Sequence, residues 1–147
     1  MDRESIILLV EDNEMDIALT LDAFRQVHLS NRIEICNNGE DALNYMFGRG
    51  NYTDRKLHPL PDLILLDLKM PRISGLDVLR EIKSTEKLKR IPVIVLTSSK
   101  DEGDRAMSYD MGANSYLVKP ISFNGFLEVV KSITNYWLTL NIEPPLE

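Results

Sequence analysis

LPDLILLDLKMP, residues 60–71, joins an aliphatic run to a carboxylate in the middle of the chain. Leu63, Ile64, Leu65 and Leu66 form an unbroken aliphatic run, with Pro61-Asp62 before it and Asp67 directly after it. A run of this length between turn residues reads as a strand buried on both faces, the pattern of a parallel sheet. An ionised carboxylate at the end of such a strand is costly unless a cation, a donor or water meets it. Asp67 therefore poses a question that the rest of the chain has to answer.

Similar β-rich runs occur at 6–10 (IILLV), 33–36 (IEIC), 93–96 (VIVL) and 115–118 (SYLV). Helical spacing fills the intervals. Ile17, Leu21, Phe24 and Val27 mark one face, and Leu76, Leu79 and Ile82, with Lys83, mark another. Phe123, Phe126, Leu127, Val130, Ile133 and Trp137 form a stripe on the last helix. Asn38-Gly39 and the stretch from Asp110 to Gly112 are turn or helix-end signals. Strand and helix thus alternate five times. The spacing predicts an α/β protein, a doubly wound sheet of five parallel strands with five helices on its two faces and right-handed crossovers. Residues 4–138 are expected to form one domain. The segment 47–61, with two glycines and two prolines, reads as a long exposed loop, and 139–147 as an unstructured tail whose final Leu-Glu reads as a cloning remnant.

The bulk numbers narrow the class. The 147 residues suffice for one ordinary domain, and 44% hydrophobic with 27% charged residues is a globular composition. A net charge of −6 argues against general affinity for nucleic acid or an anionic membrane. No run is long enough to span a bilayer, and MDRESIILLVED turns acidic too soon for a signal peptide. Lone Cys36 reads as a buried thiol in a reducing compartment, so a cytoplasmic location is expected.

In an open doubly wound sheet, ligands bind beyond the carboxyl ends of the strands. The first strand delivers Glu11-Asp12 there, the third Asp67, the fourth Thr97 with Ser98 and Ser99, and the fifth Lys119-Pro120. Three carboxylates sharing a rim raise one another's pKa unless a cation joins them. Hard oxygen ligands without nearby His or Cys suit Mg²⁺, which is bound through one or two carboxylates plus a phosphate. With Lys119 as a mobile positive charge and Thr97 as a neutral donor, the rim would accept a phosphoryl group. Asp67 is the candidate nucleophile, giving an acyl phosphate whose oxygens Mg²⁺ and Lys119 neutralise.

LLVEDN, LILLDLKMP, VIVLTSS and SYLVKP, in this order and spacing, resemble the receiver domain of two-component response regulators, over almost the whole chain. The resemblance implies a flavodoxin-like sheet of order 2-1-3-4-5. It implies that Asp67 accepts a phosphoryl group from a sensor histidine kinase. Asp12 would touch Mg²⁺ directly, Glu11 through water, and Lys69 through its main-chain carbonyl. Thr97 and Lys119 would bind the phosphoryl oxygens, Tyr116 would be the switch aromatic, and the Lys119–Pro120 bond would be cis. Output would be contact with a downstream protein, with no nucleic acid or membrane involved, and the chemistry self-catalysed rather than that of a conventional enzyme.

Finer features also carry expectations. Glu11 stands where aspartate is also frequent in the family, and its extra methylene could shift the water-mediated contact. Lys69 is expected to fold over the phosphoryl group and alter its hydrolysis. The loop at 47–61 and the end SITNYWLTLNIEPP resemble free-standing receivers, including those paired with bacterial phytochromes. Tyr136, Trp137, Leu138, Leu140 and Ile142 then suggest a homodimer through the last helix and the chain end. Three rivals compete. A haloacid-dehalogenase-type phosphatase needs a second aspartate where Lys69 stands, and lysine cannot serve as that acid–base. A flavin- or nucleotide-binding protein would need a glycine-rich phosphate loop, and neither G-x-G-x-x-G nor G-x-x-x-x-G-K-[ST] occurs. A degenerate receiver, acting as an interaction module without phosphorylation, is opposed by the intact residue set.

Overall fold

The computed structural model describes residues 5–27, 32–98, 100–119 and 122–135, with side chains through 132. His28, Ser99, the Lys119–Pro120 bond, the Ile133 side chain and the apolar cluster from Tyr136 to Ile142 lie outside the described residues. Strand and helix alternate: β1 (Ile6–Val10), α1 (Glu14–Gln26), β2 (Arg32–Cys36), α2 (Gly39–Phe47), β3 (Leu63–Leu66), α3 (Gly75–Lys83), β4 (Val93–Thr97), α4 (Glu102–Asp110), β5 (Ser115–Val118) and α5 (Phe123–Asn135). The sheet order is β2-β1-β3-β4-β5 and every pairing is parallel. This is the flavodoxin-like, doubly wound architecture expected of the sequence.

Alternation along the strands feeds two cores, because successive side chains point to opposite faces. Leu8, Val10, Ile64, Leu66, Val93 and Val95 face α2 and α3, meeting Tyr45, Met46, Val78, Leu79 and Ile82. Ile7, Leu9, Leu63, Leu65, Ile94 and Leu96 face the other side, where Ala23 and Phe24 of α1 meet Phe126 and Val130 of α5. Each fully buried aliphatic side chain contributes about 1.5–3 kcal/mol of transfer free energy, which is why the four-residue run at β3 can serve as the spine. Asn13, Asn38, Ser74 and Asp101 cap α1 to α4 through side-chain oxygens that accept first-turn N–H groups. Fourth in the series, α4 buries only Ser108, which explains why its sequence shows no apolar stripe.

The segment 47–61 differs from the exposed loop expected of it. A short 3₁₀ turn at Gly50–Tyr52 is followed by chain that folds back on α2. Tyr52 Oη bonds the Asp41 carboxylate at 2.9 Å, and its ring stands edge-on to His58, with ring centres 5.0 Å apart. Tyr45 Oη donates to the Pro59 carbonyl at 2.7 Å. The Arg55 guanidinium donates to the Tyr45 and Met46 carbonyls at 2.6 and 2.7 Å, closing the C-terminus of α2, while Arg32 donates to the Leu57 carbonyl. Glycine, proline and charge dominate the composition of the segment, so its two-sided aromatic packing is invisible until α2 is in place.

Candidate functional site

Each strand that carries a candidate residue ends on one rim, and the backbone ladder continues past the strand ends to hold those residues. Glu11 N donates to the Cys36 carbonyl at 3.0 Å, Asp67 N to the Val10 carbonyl at 3.0 Å and Lys119 N to the Thr97 carbonyl at 2.7 Å. As a result the carboxylates of Glu11, Asp12 and Asp67 each offer an oxygen within 4.8 Å of the others. Glu11 and Asp67 are buried, at 3% and 6% exposure, while Asp12 faces solvent. Gly75 makes this geometry feasible. A Cβ at that position would meet the Asp67 carbonyl oxygen at 2.1 Å, so only glycine lets the first turn of α3 lie against the Asp67 main chain.

The crowding leaves an electrostatic signature. Burial pushes the Glu11 carboxyl up to about 7; the bond from Lys119 opposes that shift and the charge of Asp67 adds to it. Burial also works against the Lys119 charge, yet bonds to Asp16 and Glu11, with the charges of Glu11 and Asp67, leave it above its ordinary value. Lys119 Nζ donates to Glu11 Oε1 and to Asp16 Oδ2, both at 2.8 Å. Lys119 therefore answers part of the excess negative charge, from the α1 side of the rim. An excess remains, held by hard oxygens without His or Cys among them. That donor set fits a divalent cation such as Mg²⁺ or Mn²⁺.

The remaining candidates are placed as follows. Thr97 is fully buried at the end of β4. Tyr116 is half-buried against the core on the α2/α3 side of the sheet. Lys69 N donates to Asp67 Oδ1 at 3.3 Å, but its ammonium reaches away from the carboxylates, to Asp104 Oδ2 on α4 at 3.1 Å. This ion pair belongs to the chain with Asp67 unphosphorylated, and the expected fold of Lys69 over a phosphoryl group concerns the loaded state. Asp16 was not singled out from the sequence. Its signal there is faint: an acidic residue three positions after Asn13, where a helix start is due.

A five-stranded doubly wound sheet with an acidic cluster, a buried threonine and a lysine on its carboxyl rim defines a receiver-type signalling domain. The family model described as response regulator receiver domain matches residues 7–131, and the chain belongs to that family, part of the two-component systems. Over 144 residues it is 40% identical to a probable methanogenesis regulatory protein, FilR2, of Methanothrix harundinacea, covering 95% of this chain and 87% of that one. With the response regulator Rcp1 of Synechocystis it shares 38% identity over 133 residues, 90% of this chain and 88% of Rcp1. The crystal structure of the Mn²⁺-bound form of Rcp1 superposes with a TM-score of 0.84 at 36% identity, covering 96% and 99% of the two chains. The phosphorylated cyanobacterial phytochrome response regulator RcpA superposes with a TM-score of 0.88 at 38% identity, covering 97% and 100%. Among the described residues no helix is long and apolar enough to cross a membrane.

Proposed function

We propose that this receiver takes a phosphoryl group from a sensor histidine kinase onto Asp67 and signals through contact with a downstream protein. One observation carries the reading: Glu11, Asp12 and Asp67 bring carboxylate oxygens within 4.8 Å of one another, with Lys119 bonded into the same cluster. The likeness to RcpA, whose structure is of a phosphorylated protein, supports it and makes a phytochrome-type kinase the first donor to test. Residues 4–138 would form the functional domain.

A carboxylate oxygen of Asp67 attacks phosphorus, a new O–P bond forms, and the N–P bond of the phosphohistidine breaks, its electron pair returning to the imidazole. Burial of Asp67 favours this step, because a poorly hydrated carboxylate has less solvent to shed. Thr97 Oγ1 donates to one phosphoryl oxygen and the Lys119 ammonium neutralises another, so that charge is met by preorganised groups. Glu11 and Asp12, with Asp67 and the Lys69 carbonyl, would hold Mg²⁺, which when bound supplies the positive charge that lets a dianion approach this cluster. Tyr116 would move inward as Thr97 shifts, changing the face made by α4, β5 and α5, a population shift between two packings. Self-association through α5 and the residues beyond it would add a second output.

Intact-mass spectrometry after incubation with acetyl phosphate, with and without Mg²⁺, tests the reading. The wild-type chain should gain one phosphoryl group only with Mg²⁺, and Asp67→Asn should gain none. No gain in the wild type, from acetyl phosphate or from a phosphorylated kinase, would overturn it in favour of a phosphorylation-independent module.

A further inference from the structure

The first turns of α1 and α3 are built on the same plan, yet they use it differently. In α3, Ser74 is the N-cap and Asp77 stands three residues on. Asp77 N donates to Ser74 Oγ at 3.2 Å, and Ser74 N returns a bond to Asp77 Oδ2 at 3.2 Å, closing a capping box. In α1, Asn13 is the N-cap and Asp16 stands at the matching position. Asp16 N donates to Asn13 Oδ1 at 3.0 Å, but the return bond goes elsewhere. Asn13 N bonds Glu11 Oε2 at 3.3 Å, and the Asp16 carboxylate crosses to Lys119 Nζ at 2.8 Å. One half of a capping box has been diverted to the lysine of the site.

The two carboxylates that hold Lys119 are not equivalent. The Glu11 side chain is 4% exposed and could not regain solvent if it lost the ammonium, whereas that of Asp16 is 35% exposed. Asp16 also stands in the first turn of its own helix, where a carboxylate is favoured by the positive end of the helix dipole. Letting go of Lys119 is therefore cheap at Asp16 and costly at Glu11.

The geometry points to Asp16 as a positioning residue that holds Lys119 in reserve on α1 and competes with a phosphoryl group on Asp67 for its ammonium. This rests on the phosphoacceptor reading above. When Asp67 carries the group, Lys119 keeps Glu11, exchanges Asp16 for a phosphoryl oxygen, and the Asp16 carboxylate turns to solvent and to its own helix start. A tie between α1 and the end of β5 is thereby broken as the domain is loaded. The first turn of α1 becomes part of what phosphorylation changes.

The test uses beryllofluoride with Mg²⁺ as the phosphoryl mimic on the full chain. Asp16→Asn keeps the size and removes the charge, and it should bind the mimic about twofold to fivefold more tightly, the range of a partly exposed ion pair. Asp16→Glu should restore wild-type affinity. Equal or weaker binding by Asp16→Asn would overturn the proposal, weaker binding meaning that Asp16 holds Lys119 where it works. In the wild type alone, the Asp16 carboxyl-carbon and Lys119 ammonium-nitrogen NMR shifts should both move on addition of the mimic. An Asp16 signal that stays in place while the mimic is bound would overturn the proposal even if the variants fail to fold. Failure of the wild type to bind beryllofluoride at all would bring down the phosphoacceptor reading, and this one with it.

Discussion

The two rims of the sheet use similar polar residues to opposite ends. On the amino-terminal rim Asp62, Asn114 and Lys83 bond backbone groups at the strand entries. Asp62 Oδ2 accepts from Ile6 N at 2.8 Å while Asp62 N donates to the Ile6 carbonyl at 2.8 Å. Asn114 repeats the clamp on β4, its Oδ1 accepting from Val93 N at 2.9 Å and its N donating to the Val93 carbonyl at 2.8 Å. Lys83 Nζ donates to the Lys89 and Ile91 carbonyls at 2.9 and 2.7 Å, tying the end of α3 to the entry of β4. On the carboxyl-terminal rim the carboxylates face one another instead, and Glu11 is pushed up to about 7 by burial first and by Asp67 in addition. Arg72, at φ +66°, is the non-glycine residue held in left-handed backbone among those described, and it lies in the loop that follows Asp67. The difference teaches that a strand-end aspartate which clamps the neighbouring strand end serves the fold, whereas one set among like charges is the candidate for chemistry.

Substitutions can break that contrast from either side. The largest expected effect is at Gly75, where an added methyl would strike the Asp67 carbonyl oxygen and lie 2.6 Å from Leu68 Cα. Gly75→Ala should cost about 3 kcal/mol, at the upper end for overpacking, and should also slow phosphoryl uptake, because the backbone it displaces carries Asp67. Urea titration and intact-mass spectrometry would read the two consequences together; loss of stability with unchanged uptake would show that the α3 contact does not position Asp67. On the opposite rim, Asp62→Ala leaves the buried Ile6 amide without its carboxylate and should cost about 1–3 kcal/mol. Its phosphoryl uptake should equal that of the wild type, and a large loss of uptake would mean that the rims are not independent.

Smaller effects sharpen the same comparison. Arg72→Gly relieves left-handed backbone and should raise stability by about 1 kcal/mol in thermal or urea unfolding. A destabilised variant would show that the Arg72 side chain, not the turn, sets this position. A pH dependence at Lys83 gives a further test. Burial pushes this ammonium down to about 8 from an ordinary 10.5, although its two carbonyl acceptors favour the charged form. The folded protein then binds fewer protons here than the unfolded chain, so stability rises with pH through this window. The contribution is fully present above about pH 10.5 and is lost as pH falls through about 8. Lys83→Met should flatten that rise in the urea midpoint, and an unchanged pH profile would assign the slope to another group.

How much of this was legible depends on the range of the interaction. All five strands fall within one residue of the β-rich runs: β1, β3 and β4 are aliphatic and buried on both faces, while the edge strands β2 and β5 are only partly buried and are marked by their β-branched and aromatic residues. The shared rim of Glu11, Asp12, Asp67, Thr97 and Lys119 was equally legible, since each stands at or just past the end of such a run and the ends of parallel strands share a rim. Lys69 illustrates the limit. Its place two residues beyond Asp67 was plain, but the direction of a long, exposed side chain was decided by Asp104 on α4. The segment 47–61 is another case: Tyr52, Arg55 and His58 find partners on elements already folded, Tyr45, Asp41 and open carbonyls of α2 and, for His58, also Glu34 of β2.

The sequence by itself determined the order of elements, the two-faced core and the set of groups on the carboxyl rim, because these follow from local periodicity and from where each apolar run ends. Which of those groups touch is a matter of how the elements pack. Asp16 and Lys119 stand 103 positions apart, and their 2.8 Å contact exists because Phe24 and Ala23 of α1 share a core with Phe126 and Val130 of α5. Side-chain pairing across packed elements depends on how the helices seat against the sheet, and that is set by the summed packing of the whole core rather than by any stretch of chain within it.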